Sequence, residues 1–319
     1  MIYIGSAGLV VVLIAWSWFL GASASKWKLV SERSESHAPP FLAGTFFDRK
    51  VGLLLSPTAV RRTHDGGETW KTVLERDTVN FTSLSPYLSD SALIVGSENE
   101  RPVIFKTENK GVTWQRMVFA EGPSDQLRPF TTFHSTCFEP PSRLWLAGDG
   151  GVVLATVAGE ALNVLDVFRS ATTVFSVTCD SSSGMWAAGE SNSIINYRTG
   201  WITTSLKDHV RPGKIEIAND AIWIVGRGSP PELLRSRDQG ASWEHKEPNF
   251  AGHLFDIHFQ NQEGWLVGSG GIIFHTIDGG DSWSEIKSPT KNDLLDVFFD
   301  DSTRGWIVGD RMTILRSQN

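Results

Sequence analysis

Seven times along the chain a short, wholly apolar run ends in a small residue. The copies are Leu53-Leu54-Leu55-Ser56, Leu93-Ile94-Val95-Gly96, Trp145-Leu146-Ala147-Gly148, Trp186-Ala187-Ala188-Gly189, Trp223-Ile224-Val225-Gly226, Trp265-Leu266-Val267-Gly268 and Trp306-Ile307-Val308-Gly309. Their terminal residues are spaced by 40, 52, 41, 37, 42 and 41 positions. Upstream of the run lies an alternating segment, as in Phe175-Ser176-Val177-Thr178-Cys179, Phe255-Asp256-Ile257-His258-Phe259 and Leu295-Asp296-Val297-Phe298-Phe299. Downstream comes a tight turn such as Ser269-Gly270-Gly271, then a further apolar stretch, Ile272-Ile273-Phe274-His275. Runs this short and this rich in branched and aromatic residues read as strands. With a fourth strand after the next Trp, each repeat is one propeller blade. The pattern predicts an all-β chain: a seven-bladed β-propeller with four-stranded blades, forming one domain over residues 25–319.

The turn between the third and fourth strands carries the sharpest motif, Ser/Thr-x-Asp-x-Gly-x-Ser/Thr-Trp, the Asp box or BNR repeat. It occurs at Thr63, Asp65, Gly67, Thr69 and Trp70; at Ser236, Asp238, Gly240, Ser242 and Trp243; and at Thr276, Asp278, Gly280, Ser282 and Trp283. A fourth copy, Thr107, Asn109, Gly111, Thr113 and Trp114, has Asn in place of Asp. An Asp or Asn side chain can accept hydrogen bonds from backbone N–H groups a few residues on. Glycine supplies the left-handed backbone, and the Trp is placed to pack between neighbouring sheets. The spacing lacks the oxygen-ligand density of a calcium loop, so the box reads as a structural turn. In the third and fourth repeats the segments 156–165 and 196–204 stand where a box would be.

The chain stops after the third strand of the seventh repeat, at Leu315-Arg316-Ser317. The missing fourth strand is available at the other end, where Trp27-Lys28-Leu29-Val30 resembles Trp70-Lys71-Thr72-Val73. The N-terminal strand is therefore expected to close the ring on the last blade, with Trp27 in the place of the box Trp. Closure of this kind ties both termini into one sheet and removes an open edge.

Charge modifies the picture little. Lys+Arg number 29 against 36 Asp+Glu, for a net charge of −7. No basic stripe is present to neutralise phosphates, so no nucleic-acid partner is expected. Residues 1–24 contain no charged side chain and end in Ala22-Ser23-Ala24, which reads as a signal peptide or, uncleaved, as an N-terminal membrane anchor. Either places the remainder outside the cytoplasm. Cys137 and Cys179 lie on first strands of the third and fourth repeats, and are read as buried thiols or as a single bridge. No metal or cofactor motif occurs.

The run Gly264-Trp265-Leu266-Val267-Gly268, the Gly-Gly turn and Asp278-Gly279-Gly280-Asp281-Ser282-Trp283, with Gly305-Trp306-Ile307-Val308-Gly309, resemble the photosystem II stability and assembly-factor family of Asp-box propellers. The resemblance is clearest from about Ala221 onward. It implies an exported seven-bladed propeller of the periplasm or thylakoid lumen. It further implies a non-catalytic scaffold that binds a protein partner, a membrane protein or an assembly intermediate.

Residues just after each apolar run open the second turn of each blade and are expected to converge on one face. Asp149, Glu190 and Asp310 lie there, with Arg101, Arg227 and Arg311 in or near the same turns; these six form the candidate ligand-binding ring. The alternative is a glycosidase using a carboxylate pair from Asp149, Glu190 and Asp310. A sialidase is disfavoured: Tyr87, expected in a first-to-second strand connection, and Tyr197, near a third-to-fourth strand turn, both fall away from such a pocket. His258, on a first strand, reads as a core residue.

Overall fold

The structure is a computed structural model that describes residues 26–33, 37–120, 131–158, 161–190, 192–206, 210–228, 230–246, 252–300 and 304–318. The expected export segment lies outside the described residues. Twenty-nine strands form seven sheets, with two short 3-10 turns among them. No helix among the described residues is long and apolar enough to cross a membrane.

Blade one is β2 (Ala43–Phe46), β3 (Gly52–Leu55), β4 (Ala59–Thr63) and β5 (Lys71–Glu75). Blade two is β6 (Val79–Leu88), β7 (Ser91–Glu98), β8 (Arg101–Thr107) and β9 (Gln115–Arg116). After β10 (Val118–Phe119), blade three is β11 (Phe133–Glu139), β12 (Arg143–Gly148), β13 (Gly151–Ala158) and β14 (Ala161–Arg169). Blade four is β15 (Val174–Asp180), β16 (Gly184–Gly189), β17 (Ser193–Tyr197) and β18 (Trp201–Ser205). Blade five is β19 (Pro212–Ala218), β20 (Ala221–Gly226), β21 (Glu232–Ser236) and β22 (Glu244–His245). Blade six is β23 (Leu254–Gln260), β24 (Glu263–Gly268), β25 (Ile273–Thr276) and β26 (Ser284–Glu285). Blade seven is β27 (Leu294–Phe299), β28 (Gly305–Gly309) and β29 (Thr313–Ser317), completed by β1 (Trp27–Ser31).

The ring closes as the repeat count requires. The first strand of each blade contacts the first strand of the next, through β2, β6, β11, β15, β19, β23 and β27 and back to β2. β1 pairs antiparallel with β29, Trp27 opposite Ser317. Each apolar run is the second strand of its blade, and residues such as Leu53–Leu55 and Ile307–Val308 are completely buried because sheets cover both their faces.

The tryptophans hold blade to blade. The fourth-strand Trp of one blade packs on the second-strand residue of the blade before it. Trp283 meets Trp223 edge-on at 6.3 Å, and Trp201 meets Trp145 at 5.9 Å. Trp243 packs with Trp186, Trp27 with Trp265, Trp70 with Trp306 and Trp114 with Leu53. For several of these indoles the contact is packing and not hydrogen bonding: the N–H groups of Trp223, Trp243, Trp283 and Trp306 are buried with no partner among the described residues, whereas Trp201 Nε1 donates to Asp166 Oδ2 of blade three at 2.8 Å. Burial of a Trp is worth on the order of 4–6 kcal/mol by area. The box glycine is part of the same contact. Gly280 has φ +82°, and a Cβ there would lie 2.3 Å from the Trp223 ring. Trp201 fills this role in blade four without a box, on a hairpin at residues 198–200.

The box turns are self-supplied with hydrogen bonds. In blade six, Thr276 Oγ1 donates to Asp278 Oδ1 at 2.6 Å, and Asp278 accepts from the Ser282 amide and hydroxyl at 2.9 and 2.6 Å. The Asp65 and Asp238 turns repeat the arrangement. In blade two, Asn109 accepts from the Thr113 amide and donates to its hydroxyl.

Three details depart from expectation. Blade three has neither box nor fourth-strand Trp, and it gains a fifth strand. The chain leaving blade two runs on as β10 and pairs in parallel with β14, Val118 opposite Ala161, so that blade two straps blade three. Tyr87 lies within β6 itself, not in the connection after it, and packs on Phe138 of blade three at 4.3 Å between ring centroids. Cys137 and Cys179 are bridged, their Cα atoms 6.0 Å apart, because β11 and β15 are adjacent first strands and place equivalent positions side by side. The bridge links blades three and four directly.

Trp27→Ala is expected to open the β1 closure and lower unfolding free energy by about 3–5 kcal/mol, the usual range for a buried Trp truncation, measured by urea denaturation. Replacing both cysteines by serine removes a cross-link across 42 residues and is expected to cost about 2–4 kcal/mol in the same assay.

Candidate functional site

The first strands present one edge to the axis of the ring, where no further strand can pair with their outward N–H groups. Neighbouring blades supply side-chain acceptors instead. A register shift near the start of each first strand from β6 to β27 sets the following residue toward the next blade. At that position Ser135 Oγ accepts from Val177 N at 3.2 Å, and Ser176 Oγ from Ile215 N at 3.2 Å. Asp256 Oδ2 accepts from Val297 N at 3.0 Å, and Asp296 Oδ2 from Gly44 N at 2.9 Å. These are the obligatory backbone donors of a sheet edge being satisfied across a blade boundary.

In blade five the same position holds Lys214, which cannot accept. Its Nζ turns to Asp256 Oδ1 at 2.6 Å. Two residues on, Glu216 Oε1 accepts from Phe259 N at 3.1 Å. His258 lies parallel to Phe299, centroids 5.6 Å apart, with Nδ1 3.9 Å from Glu216. Lys214, Glu216, Asp256, His258 and Asp296 thus form one charged wall on blades five to seven. The opposite wall, on blades two to four, is built of hydroxyls from Thr82, Ser83, Ser85, Ser135 and Thr178. The cavity between them measures about 720 Å³ and has Phe175, Phe255 and Leu295 at its lining. His258 therefore belongs to this lining and not to the core between sheets.

Burial shapes the protonation of the charged wall. It pushes the Glu216 carboxyl up to about 8, against the pull of Lys214. Burial, followed by the field of Asp256, raises Asp296 well above its usual value. Burial alone would lower Lys214, but Asp256, Asp296 and Glu216 together outweigh it and the amine stays charged. His258 is pulled down to about 4 by burial and is neutral.

The six candidate ring residues all lie at second-to-third strand turns, hence on one face. Arg227 reaches furthest inward: its guanidinium sits 3.8 Å above the Phe175 ring and lines the cavity. Burial lowers its pKa, and the charge of Glu190 opposes that shift. Asp149 spends its oxygens locally, accepting from Thr131 at 2.9 Å and Thr173 at 2.9 Å and lying 3.0 Å from His134 Nε2. Asp310 and Arg311 form the 3-10 turn before β29, with Asp310 raised by burial and by Asp293 beside it. Arg101 opens β8 opposite Glu98 and is exposed. Arg101 and the Asp310–Arg311 turn make no hydrogen bond or ion pair with the other three among the described residues.

Sequence reasoning did not single out Lys214, Glu216, Asp256 or Asp296. The available signal was positional: Asp296, Asp256 and Ser176 align as the second residue of the quoted runs, each polar between apolar neighbours.

The architecture defines the class: a closed seven-bladed propeller with box turns on one side and a polar rim on the other. The model of the family described as photosynthesis system II assembly factor YCF48 matches residues 201–291, which span the end of blade four through blade six. The chloroplast photosystem II stability/assembly factor HCF136 of Arabidopsis thaliana is 24% identical over 294 residues, covering 83% of this chain and 72% of the relative. The photosystem II assembly lipoprotein Ycf48 of a Synechococcus strain is 36% identical over 70 residues, 20% of each chain. A solved structure titled YCF48 bound to D1 peptide superposes with a TM-score of 0.74 at 19% identity, covering 93% of this chain and 98% of that one. Virginiamycin B lyase from Staphylococcus aureus shares the fold at a TM-score of 0.73 and 14% identity, covering 92% and 100% of the two chains. The chain is a seven-bladed propeller that is similar to photosystem II assembly factors.

Glu216→Gln keeps the acceptor for Phe259 N and removes the ionisation. A carboxyl raised from 4.5 to about 8 stabilises the fold fully below pH 4.5, and that stability is lost as pH rises toward 8. His258, lowered from 6.5, acts in the opposite sense and only below that value. The variant is therefore expected to match the wild type at pH 4 and to melt several degrees higher at pH 8.5, with the divergence growing between pH 4.5 and 8 in a series of thermal melts.

Proposed function

We propose that this chain is an exported, non-catalytic propeller that binds a protein partner as an assembly factor of the photosystem II type. The observation that carries the reading is the family match across blades five and six, extended by the chloroplast relative along most of the chain. One contact favours binding over catalysis: Asp149, one of the three carboxylates a glycosidase pair could draw on, is already held by Thr131 and Thr173, with His134 beside it.

The surface proposed for the partner is the rim bearing Arg101, Asp149, Glu190, Arg227, Asp310 and Arg311. Arg227 on Phe175 is its most rigid element, since a stacked guanidinium loses little freedom on binding. Residues 1–24 act as the export signal or as a membrane tether, and the folded part works in the periplasm or thylakoid lumen. The partner is a membrane protein or an assembly intermediate of one.

The test is capture of partners from the native envelope fraction by the wild type and by a variant with Arg101, Arg227 and Arg311 all changed to alanine. A membrane-protein subunit is expected in the wild-type eluate, with recovery reduced at least tenfold by the variant. Equal recovery would reject this rim as the binding surface.

A further inference from the structure

An open strand edge invites pairing with another chain, and folded proteins guard such edges by shortness, charge, bulges or cover. Six outer blade edges of this ring carry such a guard. β9, β22 and β26 are two residues long. β5 carries Lys71 and Glu75 and an irregular register. β1 carries Lys28 and a register shift between Leu29 and Ser31. β14 is capped by β10, interrupted by a shift beside Leu154 and Ala155, and charged at Asp166 and Arg169.

β18 of blade four has none of these. Its five residues, Trp201-Ile202-Thr203-Thr204-Ser205, are uncharged and rich in branched side chains. It pairs with β17 in unbroken register, and residues 202–205 are exposed. The Leu206 amide donates to Asn192 O at 2.9 Å, which fixes the alternation of the ladder. By that alternation Ile202 and Thr204 bond inward to β17, while the N–H and C=O groups of Trp201, Thr203 and Ser205 point outward. The edge is flanked by large exposed apolar side chains, Ile202 on β18 itself and Leu165 on the bulge of β14. The bulge is drawn toward blade four by the bond from Trp201 Nε1 to Asp166 Oδ2 at 2.8 Å.

We propose that the outer edge of blade four is a docking site for an extended, uncharged segment of a partner polypeptide, added as a fifth strand along Trp201, Thr203 and Ser205. The chemistry selects the occupant. Among the described residues, β18 itself offers no charged group to pair with an ionic segment, and it offers apolar side chains on which branched residues of an added strand would rest. The mode has a precedent within the molecule, since β10 extends β14 of the adjacent blade. Recognition of this kind takes its affinity from main-chain hydrogen bonds and its preference from alternate side chains. The inference rests on the reading of the chain as a protein-binding scaffold, and it assigns a second surface distinct from the rim.

The test uses a labelled octapeptide of alternating threonine and valine with a lysine at each end, followed by fluorescence anisotropy on the full folded chain. Thr203→Pro deletes one outward N–H without removing a bond to β17, and Thr203→Val retains that N–H. Saturable binding is expected for the wild type and Thr203→Val, with at least tenfold weaker binding for Thr203→Pro. A peptide N-methylated at alternate residues is expected to fail against the wild type, a comparison that stands even if the proline variant misfolds. Absence of saturable binding, or equal binding of both peptides, would overturn the proposal. So would self-association of the chain that Thr203→Pro abolishes while the peptide does not bind, because the occupant would then be a second copy. Capture through the rim is unaffected by Thr203→Pro, so loss of that capture by the arginine variant and loss of peptide binding here report on separate surfaces.

Discussion

Each blade of this ring covers one apolar face of the blade before it, and six of the seven boundaries are made by a fourth-strand tryptophan reaching across. A single four-stranded sheet has two faces to bury and cannot bury either alone. The indole from the fourth strand lies on the second-strand residue next door, and the box glycine lets the turn close down on the same ring. The result is a chain of equivalent contacts whose last link, Trp27 on Trp265, joins the two ends of the polypeptide. A circle has no end repeat to fray, which is why a short terminal strand carries so much of the architecture. The boundary between blades two and three lacks that tryptophan, and there the β10 strap and the Tyr87–Phe138 contact take its place.

The polar groups of the central channel follow from the same geometry. Seven first strands turn an unpaired edge toward the axis, and their N–H groups need acceptors that no strand can supply. Serines serve between blades three, four and five, and aspartates between six, seven and one. The cost of placing carboxyls there shows in Glu216 and Asp296, both pushed upward by burial. A group of Lys, Glu, Asp and His around a cavity has the look of a catalytic centre, yet four of its contacts are blade-to-blade staples. One architecture serves both an assembly factor and a lyase among the proteins it resembles, so the fold by itself does not assign the function.

The disulfide obeys the same rule of equivalence. Cys137 and Cys179 occupy matching places on adjacent first strands, so the ring brings them together as it brings Ser135 to Val177. Their separation along the chain is one repeat. The bridge lies at the other boundary of blade three, so the blade without box or fourth-strand Trp is held by the β10 strap on one side and by a covalent link on the other.

The sequence by itself determined the number of blades, the strand order within them, the box turns and the closure by the N-terminal strand. These are legible because each depends on a residue pattern that recurs with the structural period: an apolar run for a strand buried on both faces, a glycine where the backbone must turn left-handed, a Trp where two sheets meet. Tertiary structure alone decided the rest. Trp201 acts as a box Trp without a box, since what matters is its position against Trp145. The polar wall at Lys214, Glu216, Asp256 and Asp296 was invisible as a group, since its members lie about one repeat apart and meet only when consecutive blades stand side by side. Of the six rim residues, Arg227 lines the cavity while Arg101 is exposed at the start of β8, because turn length and side-chain direction, which no periodicity encodes, set how far each reaches toward the axis. Whether two cysteines form a bridge is likewise a matter of the 6.0 Å between their Cα atoms, a distance that exists only once the ring has closed.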